Sequence, residues 1–279
     1  MLTILIDNNS HPTADNLLTE HGLSIYWELN GLKYMLDVGA SDHFQQNANN
    51  LNIKIEDIDY LFLSHAHKDH TGGLQSFLEV NKKAKIYLSK NVLNRSFYSS
   101  RKGSKRDISM PEVEISSRFR LIEEDCMINK DIKVIAIIPE IFQKPLANRT
   151  LLSKTIEGEG LDNFDHEICL RMKTDKGFLI LSACTHNGIL NTLSACCSDE
   201  ILPSEVIAYI GGTHLLDSDD KNQYETHEDI SVLCDSLLKS YPHLQLITGH
   251  CTGNAVMQTV KEKMRERFQQ FYSGFQFKI

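Results

Sequence analysis

Between a short apolar run and a helical stretch, the chain reads Ser64-His65-Ala66-His67-Lys68-Asp69-His70-Thr71-Gly72-Gly73-Leu74. No other segment restricts the fold so tightly. His65 and His67 are two positions apart, so at a strand end their imidazoles project to the same side. Asp69 and His70 follow in the turn, where the chain curls back towards that point. Gly72-Gly73 then lets the backbone bend sharply into a helix. Three imidazoles and a carboxylate in so short a span suit a borderline divalent cation such as zinc, iron or manganese. Core packing does not account for them, because desolvating the four groups together without a cation is costly.

Around this segment, β-rich runs alternate with helical patterns. Strands are predicted at 3–6, 23–29, 32–37, 60–64, 85–88, 119–122, 133–138, 168–173, 178–182, 206–210 and 245–248. Asn30-Gly31 and Thr174-Asp175-Lys176-Gly177 read as hairpin turns. Helices are predicted at 43–51, 73–80, 91–98, 189–196, 226–240 and 254–272. The last carries Val256, Val260, Met264 and Phe268 at four-residue spacing. This order implies helices covering two sheets, or both faces of one. No repeat or linker composition divides the chain, so residues 1–279 read as one domain with an irregular insertion around 95–118.

Composition narrows the function. The 279 residues are 41% hydrophobic and 24% charged, which excludes a disordered or low-complexity chain. The net charge of −8 argues against a general nucleic-acid or membrane-surface binder. One local exception is the basic run Arg101-Lys102-Gly103-Ser104-Lys105-Arg106, read either as a solvated loop or as a lid for an anionic substrate. Asp7 interrupts the first apolar stretch, and no basic segment precedes it, so no signal peptide is expected. The uncharged run from Gly177 to Ser198 holds Thr185, His186, Asn187, Gly188 and Asn191, and reads as strand, loop and helix rather than a membrane span. Seven cysteines without a C-x-x-C pair point away from a disulfide framework and towards a reducing cytoplasm.

The H-x-H-x-D-H segment after a strand, followed by T-G-G-L and a helix, resembles the metallo-β-lactamase superfamily. Further matching segments appear in order: Asp7-Asn8-Asn9, Glu20-His21-Gly22-Leu23-Ser24, Leu36-Asp37-Val38-Gly39, Cys184-Thr185-His186-Asn187-Gly188-Ile189, Gly211-Gly212-Thr213-His214-Leu215 and Gly249-His250-Cys251-Thr252-Gly253. Together they resemble the branch of 7,8-dihydropterin-6-methyl-4-(β-D-ribofuranosyl)aminobenzene-5′-phosphate synthases, from about Thr3 to about Phe277. The resemblance implies an α/β fold, an αββα sandwich of two mixed sheets flanked by helices. It also implies a site for one or two divalent ions, zinc first, with iron, manganese or magnesium as alternatives. It places His65, His67, Asp69 and His70 in the first metal motif, with His186 and His250 completing the set.

The sequence departs from the wider superfamily at one point. Hydrolytic members commonly supply a bridging Asp after the 178–182 strand, and here Ala183-Cys184 stands there. A further ligand His usually precedes the strand pair, where this chain offers Asp165, His166 and Glu167. Cys184, Asp165 and His166 are therefore secondary ligand candidates. Asp69 and His214 are the candidate catalytic residues, and Asp37 is placed to orient a metal-bound His. Asn8, Asn9, Arg101 and Lys102 are candidate substrate contacts. His11, His43, His227 and His243 lack such context and are assigned to the surface. Three functions follow: a metal-dependent enzyme of this branch acting on a phosphorylated or otherwise anionic small molecule; a hydrolase of thioesters, lactones or phosphodiesters, nucleases included; or a non-catalytic protein that senses a metal or ligand.

Overall fold

The computed structural model describes residues 1–197 and 201–279; the end of the uncharged run, Ser198, lies outside them. Two large sheets face each other. The first runs in the spatial order Gln276–Phe277, Leu2–Ile6, Ser24–Leu29, Leu32–Leu36, Tyr60–Phe62, Lys85–Ser89 and Phe119–Ile122. The second runs Phe268–Gln270, Gln245–Thr248, Val206–Ile210, Gly177–Leu181, Cys169–Thr174, Ile132–Ile135 and Cys126–Met127. Each sheet mixes antiparallel hairpins with parallel strands.

Both faces of each sheet are buried, and the alternation of side chains assigns them. Ile25, Trp27, Tyr34, Leu36 and Phe62 point inward and meet Leu170, Met172, Leu179, Leu181 and Ile210 of the other sheet. The intervening Tyr26, Met35, Leu61 and Ile86 point outward, under the helices His43–Asn50 and Leu74–Val80. On the far side Ile180, Tyr209 and Leu246 pack under Ile189–Cys196, His227–Ser240 and Asn254–Met264. The result is the αββα sandwich. At about 1.5–3 kcal/mol for each large apolar side chain taken from water, this double burial is the main stabilising term.

The parallel strands determine where a site forms. Tyr60–Phe62, Gly177–Leu181, Val206–Ile210 and Gln245–Thr248 all end at one edge of the sandwich, and their outgoing loops converge there. Gly72 makes this convergence sterically feasible: a Cβ on it would sit 2.1 Å from the Ala40 carbonyl oxygen.

Three expectations are corrected. Residues 91–98, predicted as helix, form a short 3-10 turn at Lys90–Val92 and then the strand Ser96–Ser99. That strand pairs with Leu151–Thr155, a partner far off in sequence that local propensity does not register. The predicted irregular insertion therefore contains ordered strands. Ser96–Ser99 and Arg106–Asp107 join Leu151–Thr155 and Gly158–Leu161 in a third, four-stranded sheet. Finally, the last helix stops at Met264 rather than running to 272. Arg265 takes φ 53°, and Phe268–Gln270 adds a parallel edge strand beside Gln245–Thr248. The four-residue spacing that included Phe268 was fortuitous beyond Met264.

Candidate metal centre

Asp37 organises the first motif. It follows the strand Leu32–Leu36 in a left-handed conformation (φ 59°) and is fully buried. Its Oδ1 accepts the Ser64 backbone N–H (2.7 Å), and its Oδ2 accepts the Ser64 hydroxyl (2.6 Å) and His70 Nδ1 (2.7 Å). These contacts fix protonation states. His70 carries its proton on Nδ1, which leaves the Nε2 lone pair facing inward. The Ser64 hydroxyl has spent its proton on Asp37, so it accepts from His65 Nδ1 (2.8 Å), and His65 Nε2 is likewise unprotonated.

The later histidines are held the same way. Asn148 Nδ2 donates to the His186 carbonyl (2.7 Å), which leaves its Oδ1 to accept from His186 Nδ1 (3.1 Å). Asn8 Nδ2 donates to the His250 carbonyl (3.1 Å), and its Oδ1 faces His250 Nδ1 (3.1 Å). Asp7 accepts the His250 backbone N–H (2.7 Å), while Glu167 accepts the backbone N–H groups of His186 (2.8 Å) and Asn187 (2.9 Å). His65, His70, His186 and His250 are thus each oriented by a polar partner behind them, whereas His67 Nε2 has none.

In front, the ring nitrogens converge in two groups. His65 Nε2 lies 3.1 Å from His67 Nδ1 and 3.3 Å from His186 Nε2, a trio of neutral donors. The other group is mixed. His70 Nε2 lies 3.0 Å from His250 Nε2 and 3.3 Å from Cys184 Sγ, and Asp69 Oδ2 sits 3.5 Å from both imidazoles.

The donor chemistry fits a divalent cation. Burial pushes His67 down to about 3 and holds His65 and His186 well below the ordinary histidine range, so none of the three is a charged imidazolium near neutrality. The trio's ring nitrogens face one another inside a buried space, where a divalent cation would satisfy the lone pairs directed inward. In the mixed group burial lowers His250, but Cys251, Asp69 and Asp7 outweigh it and raise it to about 9. Burial opposes the charge on Asp69 as well, yet His70 and His250 hold it well below the ordinary carboxylate range. Protein anions here already call for positive charge.

The remaining predicted residues divide. His214 is buried, its ring centroid lies 4.0 Å from that of His186 with the planes tilted by 51°, and neither ring nitrogen has a hydrogen-bond partner. Asn8 reaches the centre as a support for His250, and Asn9 is tied to Asp7 (2.6 Å) beside it. The placement of Asp165 corrects its reading as a ligand: it is bound bidentately by Arg95 (2.6 and 3.0 Å). His166 has both nitrogens engaged, with the Ala66 N–H (3.3 Å) and Asp162 (3.0 Å), and with Asp162 and His67 it forms a further buried group that could hold a cation. Arg101 lines the cleft over the centre, whereas Lys102 is exposed and does not. His11, His43, His227 and His243 stand apart from the clustered groups, as expected.

That cleft encloses about 260 Å³, with His67, His186 and His214 on its floor and Lys68, Arg101 and Arg106 among its walls. Several residues of the site carried no usable signal in the sequence. Arg106 was one member of a basic run, and Asn148 lies in no motif. His21 sits within a matching segment but was given no role; its Nε2 approaches Asp69 Oδ2 (3.5 Å) and its ring stacks on His250. Cys251, next to His250, also faces the cleft.

Comparison with known proteins agrees with this geometry. Residues 21–125 match the model of the metallo-beta-lactamase superfamily. The 7,8-dihydropterin-6-methyl-4-(beta-D-ribofuranosyl)-aminobenzene-5′-phosphate synthase of Methanocaldococcus jannaschii is 29% identical over 92% of this chain and 89% of its own. A crystallised metal-dependent hydrolase of the beta-lactamase superfamily superimposes with a TM-score of 0.78 at 23% identity, covering 100% of this chain and 98% of that one. A diphosphatase of the PhnP family aligns with a TM-score of 0.54 at 12% identity, covering 100% of this chain and 97% of that one. This fold implies divalent metal binding, and the described residues contain the His, Asp and Cys clusters to provide it.

Proposed function

On the premise that this chain carries a metallo-β-lactamase domain and the fold that goes with it, we propose that it is a metal-dependent enzyme acting on a phosphorylated or otherwise anionic small molecule. One observation carries the reading: unprotonated imidazole nitrogens converge on the floor of a cleft whose walls present Lys68, Arg101 and Arg106. A bound divalent cation would supply Lewis acidity, neutralising charge on phosphate oxygens or lowering the pKa of a water. An imidazole-rich donor set favours zinc, iron or manganese over magnesium.

The chain's own residues supply the rest. Arg101 and Arg106 present planar guanidinium groups suited to bidentate phosphate contacts, and Lys68 adds a point charge. Substrate filling the cleft would exclude water from its floor and strengthen these contacts. His214, with its nitrogens uncommitted, is placed to take or give a proton at the reacting atom. Asp69 remains a carboxylate and balances charge in the mixed group.

Similarity to the archaeal synthase makes transfer with expulsion of diphosphate the leading reaction, with the charge on the departing oxygens held by the basic wall. The acidic balance of the chain argues for a small substrate over nucleic acid. No described helix is long and apolar enough to cross a membrane. Free cysteines accord with a reducing cytoplasm.

The test incubates the metal-loaded protein with a dihydropterin methyl diphosphate, with and without a ribofuranosylaminobenzene phosphate acceptor. Diphosphate release that requires the acceptor supports the synthase. Equal release without the acceptor, or turnover only of phosphodiester, thioester or lactone substrates, replaces it with a hydrolase. Metal binding without turnover of any of these substrates replaces it with a sensor.

A further inference from the structure

Cys184, His214 and Cys251 follow three strands that lie side by side in the second sheet, Gly177–Leu181, Val206–Ile210 and Gln245–Thr248. The two thiol sulfurs and a ring nitrogen of His214 lie within 4.8 Å of one another, all on buried residues. Neither nitrogen of His214 has a hydrogen-bond partner, although the residue is only 5% exposed. A buried imidazole with two uncommitted nitrogens needs a ligand to justify its desolvation.

The backbone is shaped for this meeting. His214 (φ 50°), Thr185 (φ 64°) and His250 (φ 43°) adopt left-handed conformations, which are strained in an L-residue. A Cβ on Gly212 would lie 2.4 Å from Cys251 Sγ and 2.6 Å from the Ala183 carbonyl oxygen, so only glycine lets the sulfur reach its place. The His214 backbone N–H donates to Cys251 Sγ (3.3 Å), which favours its thiolate form.

We propose that Cys184, Cys251 and His214 form a thiophilic cation site that adjoins the histidine centre, shares Cys184 with its mixed group and holds one zinc-class divalent ion that ties the three strand-end loops together. Sulfur and nitrogen donors at about 2.3 and 2.0 Å from an ion stand roughly 3.5 Å apart in a tetrahedron, within reach of small side-chain rotations here. Bound metal would hold both sulfurs as thiolates, releasing whatever thiol proton either still carries. A divalent ion with two thiolates and a neutral imidazole carries no net charge, so burying it is cheap. The same ion in the histidine trio retains its full double charge, which suits it to attract an anion. The two sites therefore divide the work: the thiolate site clamps the loops through one His214 nitrogen, leaving the other for proton transfer, and the trio faces the substrate. This assignment goes beyond the proposed reaction and stands whether or not that reaction is the right one.

The experiment loads the full chain with Cd²⁺ and measures bound metal together with thiolate-to-cadmium absorption in the ultraviolet. Cys251→Ser should lose most of that absorption together with close to one equivalent of cadmium per chain, whereas His67→Ala should keep the absorption while losing histidine-bound metal. Bound cadmium should also slow alkylation of Cys184 and Cys251 by at least about tenfold in the wild-type chain, a readout that does not depend on any variant folding. Unchanged absorption and stoichiometry in Cys251→Ser, unprotected thiols, or a Cys184–Cys251 disulfide in the protein as isolated would each overturn the proposal.

Discussion

The two histidine groups lie side by side yet differ in how they carry charge. The trio of His65, His67 and His186 contains no anion, and burial keeps its imidazoles deprotonated. The mixed group combines Asp69 with His70 and His250, has Cys184 at its edge, and holds a proton on His250 up to about pH 9. The trio offers neutral nitrogen donors that a cation would bind without displacing a charging proton. The mixed group can accept a proton instead. The comparison teaches that depressed pKa values, rather than the number of ligands, mark the half with the stronger demand for metal.

Removing a donor from the trio should have the largest effect. His67→Ala should cut activity by about a thousandfold or more and remove about one equivalent of metal, since no carboxylate is present to compensate. Metal analysis paired with turnover checks this, and retained occupancy of the trio would break the comparison.

Proton competition should separate the halves next. Ligand nitrogens bind metal only when deprotonated, so a pKa of about 9 on His250 means affinity at the mixed group falls as pH drops below that value. The fall is about tenfold per pH unit, or about a hundredfold between pH 9 and 7. His67, at about 3, imposes no such penalty above pH 5. Titrations at several pH values should show one pH-dependent and one pH-independent site; equal slopes would remove the distinction.

A smaller change is expected behind the mixed group. In Asp37→Asn the amide can donate to His70 Nδ1, which would place the imidazole proton on Nε2, facing the cation. The expected cost is about ten- to a hundredfold in metal affinity at the mixed group, with the overall fold kept. Nitrogen NMR of His70 would report the tautomer, and an unshifted Nδ1–H would count against the argument.

Much of the fold was legible because its signals are local. The strand 119–122 and the helix 189–196 were predicted with the bounds the structure shows, as were 206–210 and 245–248. Local reading failed where pairing is remote. Ser96–Ser99 is a strand only because Leu151–Thr155 lies beside it, and Phe268–Gln270 only because an edge of the second sheet was open. The site divides along the same line. Asp37 was picked out as a support for a ligand, and it does hold His70. Asn148 supports His186 just as closely, but an asparagine in an ordinary stretch carries no mark of its partner.

By itself the sequence determined that a strand would end in four side chains able to hold a metal, because alternation and glycine turns act over a few residues. Only tertiary structure decided which nitrogens face inward, that Asp165 would turn away to Arg95, and that His214 would meet Cys184 and Cys251. Those outcomes depend on hydrogen bonds and burial between segments tens to hundreds of residues apart. Protonation and charge follow from that environment, which no single segment specifies.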